Sequence, residues 1–288
     1  MSVEEVAPPA HGSDYERAHY ATTIRTAIGL PLADRVVAVW QRREVLRTLV
    51  ERGLQQKYAN SVLGYAWSLL EPAMFIATYF LLLKIFHKSY PMYPLFISSA
   101  ILPWQWFAST VTGSTSALRS NARLITSVNL PREIYPLTDV AVRAVEFALS
   151  YPVLLVVALV YRARPSGYMA LLPLALVLEL MMCIGVALLL SALNTVVRDI
   201  QRGIGIVVRV LFYLVPVLYP LSNLSSSFAH ALSYNPMVGI LVIQRAAWMP
   251  QYWAGWHPVL YSIVGSVIVL FAGFSVFARL ESAVLKEL

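Results

Sequence analysis

Ser61-Val62-Leu63-Gly64-Tyr65-Ala66-Trp67-Ser68-Leu69-Leu70-Glu71-Pro72 is the stretch in which a basic amphipathic segment gives way to the first long apolar run. Arg47, Arg52 and Lys57 precede it, and the residues from Met74 to Leu83 follow without a charge. Gly64 admits close backbone approach and Trp67 suits a water–lipid interface. Pro72 removes one backbone donor from a helix that lipid requires to be fully hydrogen-bonded. The stretch therefore predicts a kinked first membrane span that carries a carboxylate, Glu71.

Composition extends this reading to the whole chain. Of 288 residues, 58% are hydrophobic and 13% charged, and the mean hydropathy is +0.65, too apolar for a soluble domain of this length. Several runs reach the roughly 20 residues that a helix needs to cross hydrocarbon. None alternates with the two-residue period of a barrel strand. The expected fold is all-α and integral to the membrane, with six spans at about 62–86, 93–117, 134–161, 167–195, 203–221 and 257–279. The domain reading is a flexible tail over 1–30, an amphipathic interfacial helix over 31–60, the six-span region over 61–280 and a C-terminus over 281–288.

The net charge of +7 reports orientation rather than a nucleic-acid groove. With these spans, every Lys and Arg except Lys84, Lys88, Arg162, Arg164 and Arg245 falls on one side. By the positive-inside rule that side, with both termini, is cytoplasmic, and its charge suits anionic lipid. No secretory leader pattern opens the chain. Between residues 34 and 58, Val36, Val39, Trp40, Leu46, Leu49, Val50 and Leu54 recur at helical spacing against Arg35, Arg42, Arg43, Arg47 and Glu51, as in a helix lying on a membrane surface.

The connections are informative. Tyr90-Pro91 and Arg164-Pro165-Ser166-Gly167 are turn signals for short outer hairpins. The polar, basic inner loop from Leu118 to Glu133 is the candidate for docking a cytosolic partner. The outer segment from Ser222 to Trp256 holds two semi-apolar pieces, Leu224 to Leu232 and Met237 to Ala247, too short to cross. These predict re-entrant or interfacial helices. Trp248, Trp253 and Trp256 behind them read as an interface belt.

Catalytic signatures are missing. No Gly-x-x-x-x-Gly-Lys-Ser/Thr loop is present to cradle ATP phosphates, the five histidines lack metal-ligand spacing, and no Gly-x-Ser-x-Gly elbow occurs. The lone Cys183 reads as a buried apolar residue. Among charges in or beside the spans, Asp139, Arg143 and Glu146 stand at helical spacings and read as a structural ion network rather than a proton relay. Trp67, Glu71 and Phe75 share one face of the first span with Thr78, and Phe212, Tyr213 and Tyr219 flank Pro216 in the fifth. Both faces fit a polar, aromatic pathway lining as well as core packing.

A set of motifs, in order along residues 40 to 280, resembles the membrane subunit of type-2 ATP-binding-cassette exporters, in the branch that exports lipid-linked polysaccharide. They are Tyr58-x-x-Ser61-x-Leu63-Gly64-x-x-Trp67 with Pro72, Leu102-Pro103-Trp104, Asn121 with Asn129-Leu130-Pro131-Arg132-Glu133-Ile134, Arg198-Asp199-Ile200, and Tyr234-Asn235-Pro236. The resemblance implies a channel at the interface of two copies of this chain, gated by two copies of a separate ATPase. That partner would bind ATP and Mg, and this chain would bind no cofactor or metal. By analogy, the helix around Trp40 to Tyr58 and the loop residues would meet the ATPase, with Arg47, Asn121, Arg123, Pro131, Arg132 and Glu133 as docking candidates. Trp67, Glu71, Phe75, Phe212, Tyr213 and Tyr219 would line the channel, and Tyr234, Asn235 and Pro236 would form an outer gate. The cargo would be a glycan on an undecaprenyl-type diphosphate lipid in the inner membrane. The Ala-, Val- and Arg-rich wording resembles actinobacterial members, whose cargo is cell-wall galactan; O-antigen and teichoic-acid exporters share the motifs. A permease for a small drug or lipid, and a membrane-embedded glycosyl- or acyltransferase, are the competing readings. The outer connections hold no Asp or Glu, which disfavours the transferase.

Overall fold

The computed structural model describes residues 32–59, 61–85, 92–128 and 130–287. The tail expected over 1–30, the Tyr90-Pro91 turn and Asn129 lie outside the described residues. Among the described residues all regular structure is helical: α1 (Leu32–Gln41), α2 (Arg43–Tyr58), α3 (Trp67–Ile85), α4 (Tyr93–Ser114), α5 (Ala117–Ser120), α6 (Ala122–Ser127), α7 (Ile134–Val160), α8 (Leu172–Val196), α9 (Ile200–Leu214), α10 (Ser226–Ser233), α11 (Pro236–Ala246) and α12 (Trp256–Glu287).

The amphipathic segment before the first span is two helices rather than one, because Arg42 leaves helical geometry between α1 and α2 (φ −101°, ψ 20°). α2 buries none of its side chains fully, as a helix resting on a surface should. Among the described residues four helical stretches are long and apolar enough to cross a membrane: Gly64–Ile85, Ile134–Val160, Gly167–Val196 and Trp256–Glu281. Their outer faces carry exposed Val156, Leu159, Val160, Val264, Ile268 and Phe271, an apolar surface that water would not tolerate.

The other two expected spans correspond to α4 and α9, and each differs for a physical reason. α4 is buried among other helices along most of its length, so it can carry serines and threonines that lipid would penalise. Except at Thr110, their hydroxyls turn back on the helix itself, as Ser99 does to the Phe96 carbonyl at 2.9 Å and Thr115 to that of Val111 at 2.6 Å. α9 stops at Leu214, short of the expected 221. Pro216 lacks the N–H that would continue the ladder and biases the residue before it towards extended geometry; Val215 is accordingly extended (φ −77°, ψ 138°).

The core is welded along α8 and α12. A Cβ on Gly273 would fall 2.1 Å from the Gly185 carbonyl oxygen, and one on Gly185 would fall 2.5 Å from that of Val269. Backbone therefore touches backbone, the close approach that small residues permit between helices in a membrane.

The bundle has two distinct ends. At one, Arg35 of α1, Arg132 and Glu133 before α7, and Glu281 of α12 meet, and Asn194 near the end of α8 donates to the Thr115 carbonyl at 2.9 Å. At the other, Ser166 between α7 and α8 binds α11, its amide to the Ala247 carbonyl at 2.9 Å and its hydroxyl to that of Ala246 at 2.6 Å.

Candidate functional site

A cavity of about 510 Å³ opens among α3, α4, α7 and α9, reached also by the end of α2. From α3 come Trp67, Ser68, Glu71, Pro72, Phe75 and Tyr79; from α9 come Arg209, Phe212 and Tyr213. The helical repeat puts the α3 residues on one stripe. Thus Trp67, Glu71, Phe75, Phe212 and Tyr213, which lie far apart in sequence, share one wall-to-wall space. Tyr219 does not line it. Trp104 of α4 stacks at the back, with ring centroids 5.8 Å from Phe212, which is in turn 5.8 Å from Tyr79 and 5.2 Å from Tyr213. Tyr213 is 64% exposed, so an aromatic face stands open at the cavity mouth.

Charge collects at one end. Glu146 of α7 accepts from Lys57 at 2.6 Å, from Arg143 at 3.2 Å and from the Tyr58 hydroxyl at 3.0 Å, and Arg143 also reaches Asp139 at 3.5 Å. Tyr58 further pairs with the Ser68 hydroxyl at 2.7 Å. Burial, foremost, raises the Tyr58 hydroxyl above its ordinary value, so it stays a donor. The expected network of Asp139, Arg143 and Glu146 is present, and it reaches further than expected by taking in α2. Its effect is to moor the surface helix to the cavity rim.

The docking candidates divide. Arg47 is exposed and pairs with Glu51 at 3.0 Å; Arg123 is exposed; Asn121 donates to the Ala117 carbonyl at 2.8 Å; Pro131 is half-buried. Arg132 and Glu133 are buried. Glu133 accepts from Arg35 at 2.6 Å, Arg35 reaches Glu281 at 2.8 Å, and Glu281 also pairs with Arg132. Burial alone would weaken the Arg35 hold on its proton, but hydrogen bonds and charge from Glu281 and Glu133 outweigh it and raise its proton affinity. The charged ends of Arg132 and Glu133 are thus engaged within the chain. Sequence reasoning missed this closure, since nothing local at Arg35 or Glu281 names a partner some 246 positions away.

Of the gate candidates, Tyr234 is exposed and stacks on Tyr261 with centroids 4.6 Å apart. Asn235 caps α11, its side-chain oxygen accepting from the Met237 amide at 3.0 Å, and Pro236 occupies the first turn. The Pro236 carbonyl accepts from the Ser262 hydroxyl of α12.

Two buried charges were legible only as charges in apolar runs. Glu179 in α8 is fully buried, and among the described residues neither carboxylate oxygen has a hydrogen-bond partner. Arg245 in α11 is 3% exposed. It donates to the Pro216 carbonyl at 2.9 Å and that of Val217 at 3.1 Å, and its guanidinium lies 3.7 Å from the Phe96 ring centre. The carbonyls freed where α9 breaks are thereby satisfied from side chains. Tyr219 serves the two before them, donating to Leu214 at 2.8 Å and Tyr213 at 3.2 Å. Among the described residues no group of His, Cys, Asp and Glu could hold a metal ion.

No family model matches the chain. It is similar to the O-antigen export system permease protein RfbA of Myxococcus xanthus, 31% identical over 242 residues, which cover 83% of this chain and 93% of that protein. It is 28% identical over 240 residues to the O-antigen export system permease protein RfbA of Klebsiella pneumoniae, covering 83% and 92%. It is 24% identical over 259 residues to the polysialic acid transport protein KpsM of Escherichia coli, covering 85% and 98%.

Proposed function

The chain belongs to the permease subunits of type-2 ATP-binding-cassette exporters, transport subunits whose ATPase is a separate polypeptide, and on that premise we propose that it conducts a lipid-linked polysaccharide across the inner membrane. The observation that carries this reading is the cavity. Its walls pair aromatic faces with scattered polar groups, which accommodates a sugar polymer that must slide, because stacking on aromatic faces tolerates changes of sugar and each contact is weak enough to release. The relatives' names, which speak of O-antigen and polysialic acid, support a polysaccharide over a small drug. Cell-wall galactan on an undecaprenyl-type diphosphate is the cargo we propose.

We propose six crossings with both chain ends cytoplasmic. The meeting of Arg35, Glu133 and Glu281 supports the count. If α3 crosses outward, α4 must return for Glu133 to reach Arg35. The fifth crossing, α9, is completed by the broken segment that Arg245 and Tyr219 satisfy.

The channel proper is proposed to form between two copies of this chain, with α3 and α9 facing their two-fold mates. The exposed Trp67, Phe75, Ile206, Val210 and Tyr213 support that arrangement, since these large apolar groups stand on helices with few buried side chains. Two copies of the ATPase, with ATP and Mg, are proposed to dock on α2 and the 121–133 loop, where Arg47, paired along its own helix, and Arg123 are exposed. Tyr234, Asn235 and Pro236 would sit at the outer gate.

The test is reconstitution of the chain with its cognate ATPase in vesicles loaded with lipid-linked galactan. ATP-dependent appearance of glycan on the far side is expected. Transport of a small amphiphile with no movement of any lipid-linked glycan would favour the drug or lipid permease instead.

A further inference from the structure

Arg245 is a buried cation with no carboxylate within ion-pair distance among the described residues. Such a group is expensive to keep in an apolar core, so its contacts deserve a functional account. They converge on one place. Nη2 bridges the carbonyls of Pro216 and Val217, and the guanidinium plane covers Phe96. Pro216 and Val217 are themselves buried, whereas α9 just before them buries only Val208. The helix buries little along its length and is held at its ends: the Gln201 amide of its first turn donates to the Asn194 side-chain oxygen of α8 at 3.2 Å, and Arg245 holds the backbone beyond its last turn.

The body to which that end is held is firm. α11, which carries Arg245, abuts α12 so closely that a Cβ on Gly239 would lie 2.2 Å from the Pro258 carbonyl oxygen. The Ser262 hydroxyl of α12 bonds the Pro236 carbonyl at the start of α11, and α12 is welded to α8 through Gly185 and Gly273. At the other side, the hydroxyl of Tyr93 in α4 approaches the Leu218 carbonyl at 3.5 Å, so α4 backs the same broken segment.

We infer that Arg245 is a positioning residue that fixes the pivot at the far end of α9: it pins the backbone just beyond Phe212 and Tyr213 to the α8–α11–α12 body, so that bending of the last turn against Pro216 carries those two aromatic side chains into or out of the cavity. The inference rests on the proposed conducting role of the cavity. The planar fork of arginine suits the task because it can meet two successive carbonyls and stack on a ring at once. A lysine ammonium, a point donor on a flexible stem, cannot hold that geometry.

The test uses the chain assembled with its ATPase in lipid nanodiscs, in a Cys183→Ala background. A single cysteine is introduced either at Tyr213, at the cavity mouth, or at Val264, on the exposed face of α12. The rate of maleimide labelling is compared among Arg245, Arg245→Lys and Arg245→Gln. Both substitutions are expected to change the rate at position 213 by about tenfold, the scale set by losing a charged hydrogen bond, and to leave position 264 unchanged. Restoration of the native rate by Lys would overturn the inference, since a bare buried charge would then suffice. Unchanged labelling at 213 in both variants, or parallel changes at 213 and 264, would also overturn it, the latter by reporting a general loosening. Labelling needs no glycan, so a chain that failed to export would still reveal the pivot, and a failed pivot with intact export would leave the conducting role standing.

Discussion

The hydroxyl of Tyr219 donates to the main-chain carbonyl of Tyr213 at 3.2 Å, so the residue beyond the break of α9 binds the backbone of a residue that lines the cavity. The same hydroxyl serves Leu214 at 2.8 Å. Tyr219→Phe keeps the ring and deletes both bonds, at a cost of about 0.5–1.5 kcal/mol. Amide hydrogen exchange at Leu214, Val215 and Val217 is expected to quicken, with exchange in α8 unaltered. Equal protection in both proteins would show that the hydroxyl contributes nothing to the break.

The ion cluster at the other end makes a stability prediction. Glu281 accepts from both Arg35 and Arg132, and all three are buried. Glu281→Gln leaves Arg132 without a carboxylate, and removing one partner from a buried ionic group typically costs about 3–5 kcal/mol. A lower thermal unfolding midpoint of the detergent-purified chain is expected. Arg35→Met and Arg132→Met combined with Glu133→Leu and Glu281→Leu should recover much of the loss, because replacing the whole cluster, Glu133 included, removes the desolvation penalty along with the attraction.

Gly273→Ala should be among the most damaging single-methyl changes in the chain. The new Cβ would meet the Gly185 backbone at 2.1 Å, and neither helix has a side chain there to yield. Folded yield, read as the monodisperse fraction by size-exclusion chromatography, is expected to collapse. Gly167→Ala, where nothing lies within 4 Å of the added carbon, serves as the control and should leave yield unchanged.

Tyr213→Ala and Phe212→Ala should slow export while the ATPase still co-purifies, because the cavity loses stacking faces without losing a docking surface. Pro72→Leu should act differently. Leucine supplies the N–H that proline lacks and removes the ring from the preceding turn, which is expected to shift Glu71 and Phe75 relative to Trp67, so export is expected to fall even with every aromatic ring retained. Wild-type export rates from all three proteins would move the conducting path away from this cavity.

For docking, the purified chain alone should turn over no ATP, since it carries no phosphate-cradling loop. Arg123→Glu should weaken recovery of the ATPase in pull-down experiments at physiological salt. Arg132→Glu is the poorer probe, because it would place a third carboxylate beside Glu133 and Glu281 and disturb folding first.

Legibility in the sequence followed the range of the forces involved. Four of the expected span positions were readable because hydropathy is a local sum, and the charges Asp139, Arg143 and Glu146 were readable as a network because one helix brings them together. The stripe of Trp67, Glu71 and Phe75 was readable for the same reason. What α3 would face was not, since the meeting of Phe212 with Tyr79 and Trp104 depends on how three helices pack. The truncation of α9 was written in Pro216, but that signal was overridden by the apolar residues on either side of it. Arg245 was visible as the one charge in an apolar stretch; only packing discloses that its partners are carbonyls freed by that same proline. Arg35 and Glu281 carried no signal at all, each being an ordinary charge in an ordinary amphipathic context.

The position of Glu281 in the chain also bears on how the protein is made. Arg35 and Arg132 emerge from the ribosome long before their shared carboxylate exists, and until residue 281 has been synthesised Arg132 has no carboxylate partner in the cluster. Arg35 can meet Glu133 as soon as that residue is available, whereas the nascent chain must keep Arg132 hydrated or against lipid headgroups meanwhile. Completion of the cluster therefore waits on α12, and a chain broken off before α12 is complete would keep the Arg35–Glu133 pair but leave Arg132 without its carboxylate.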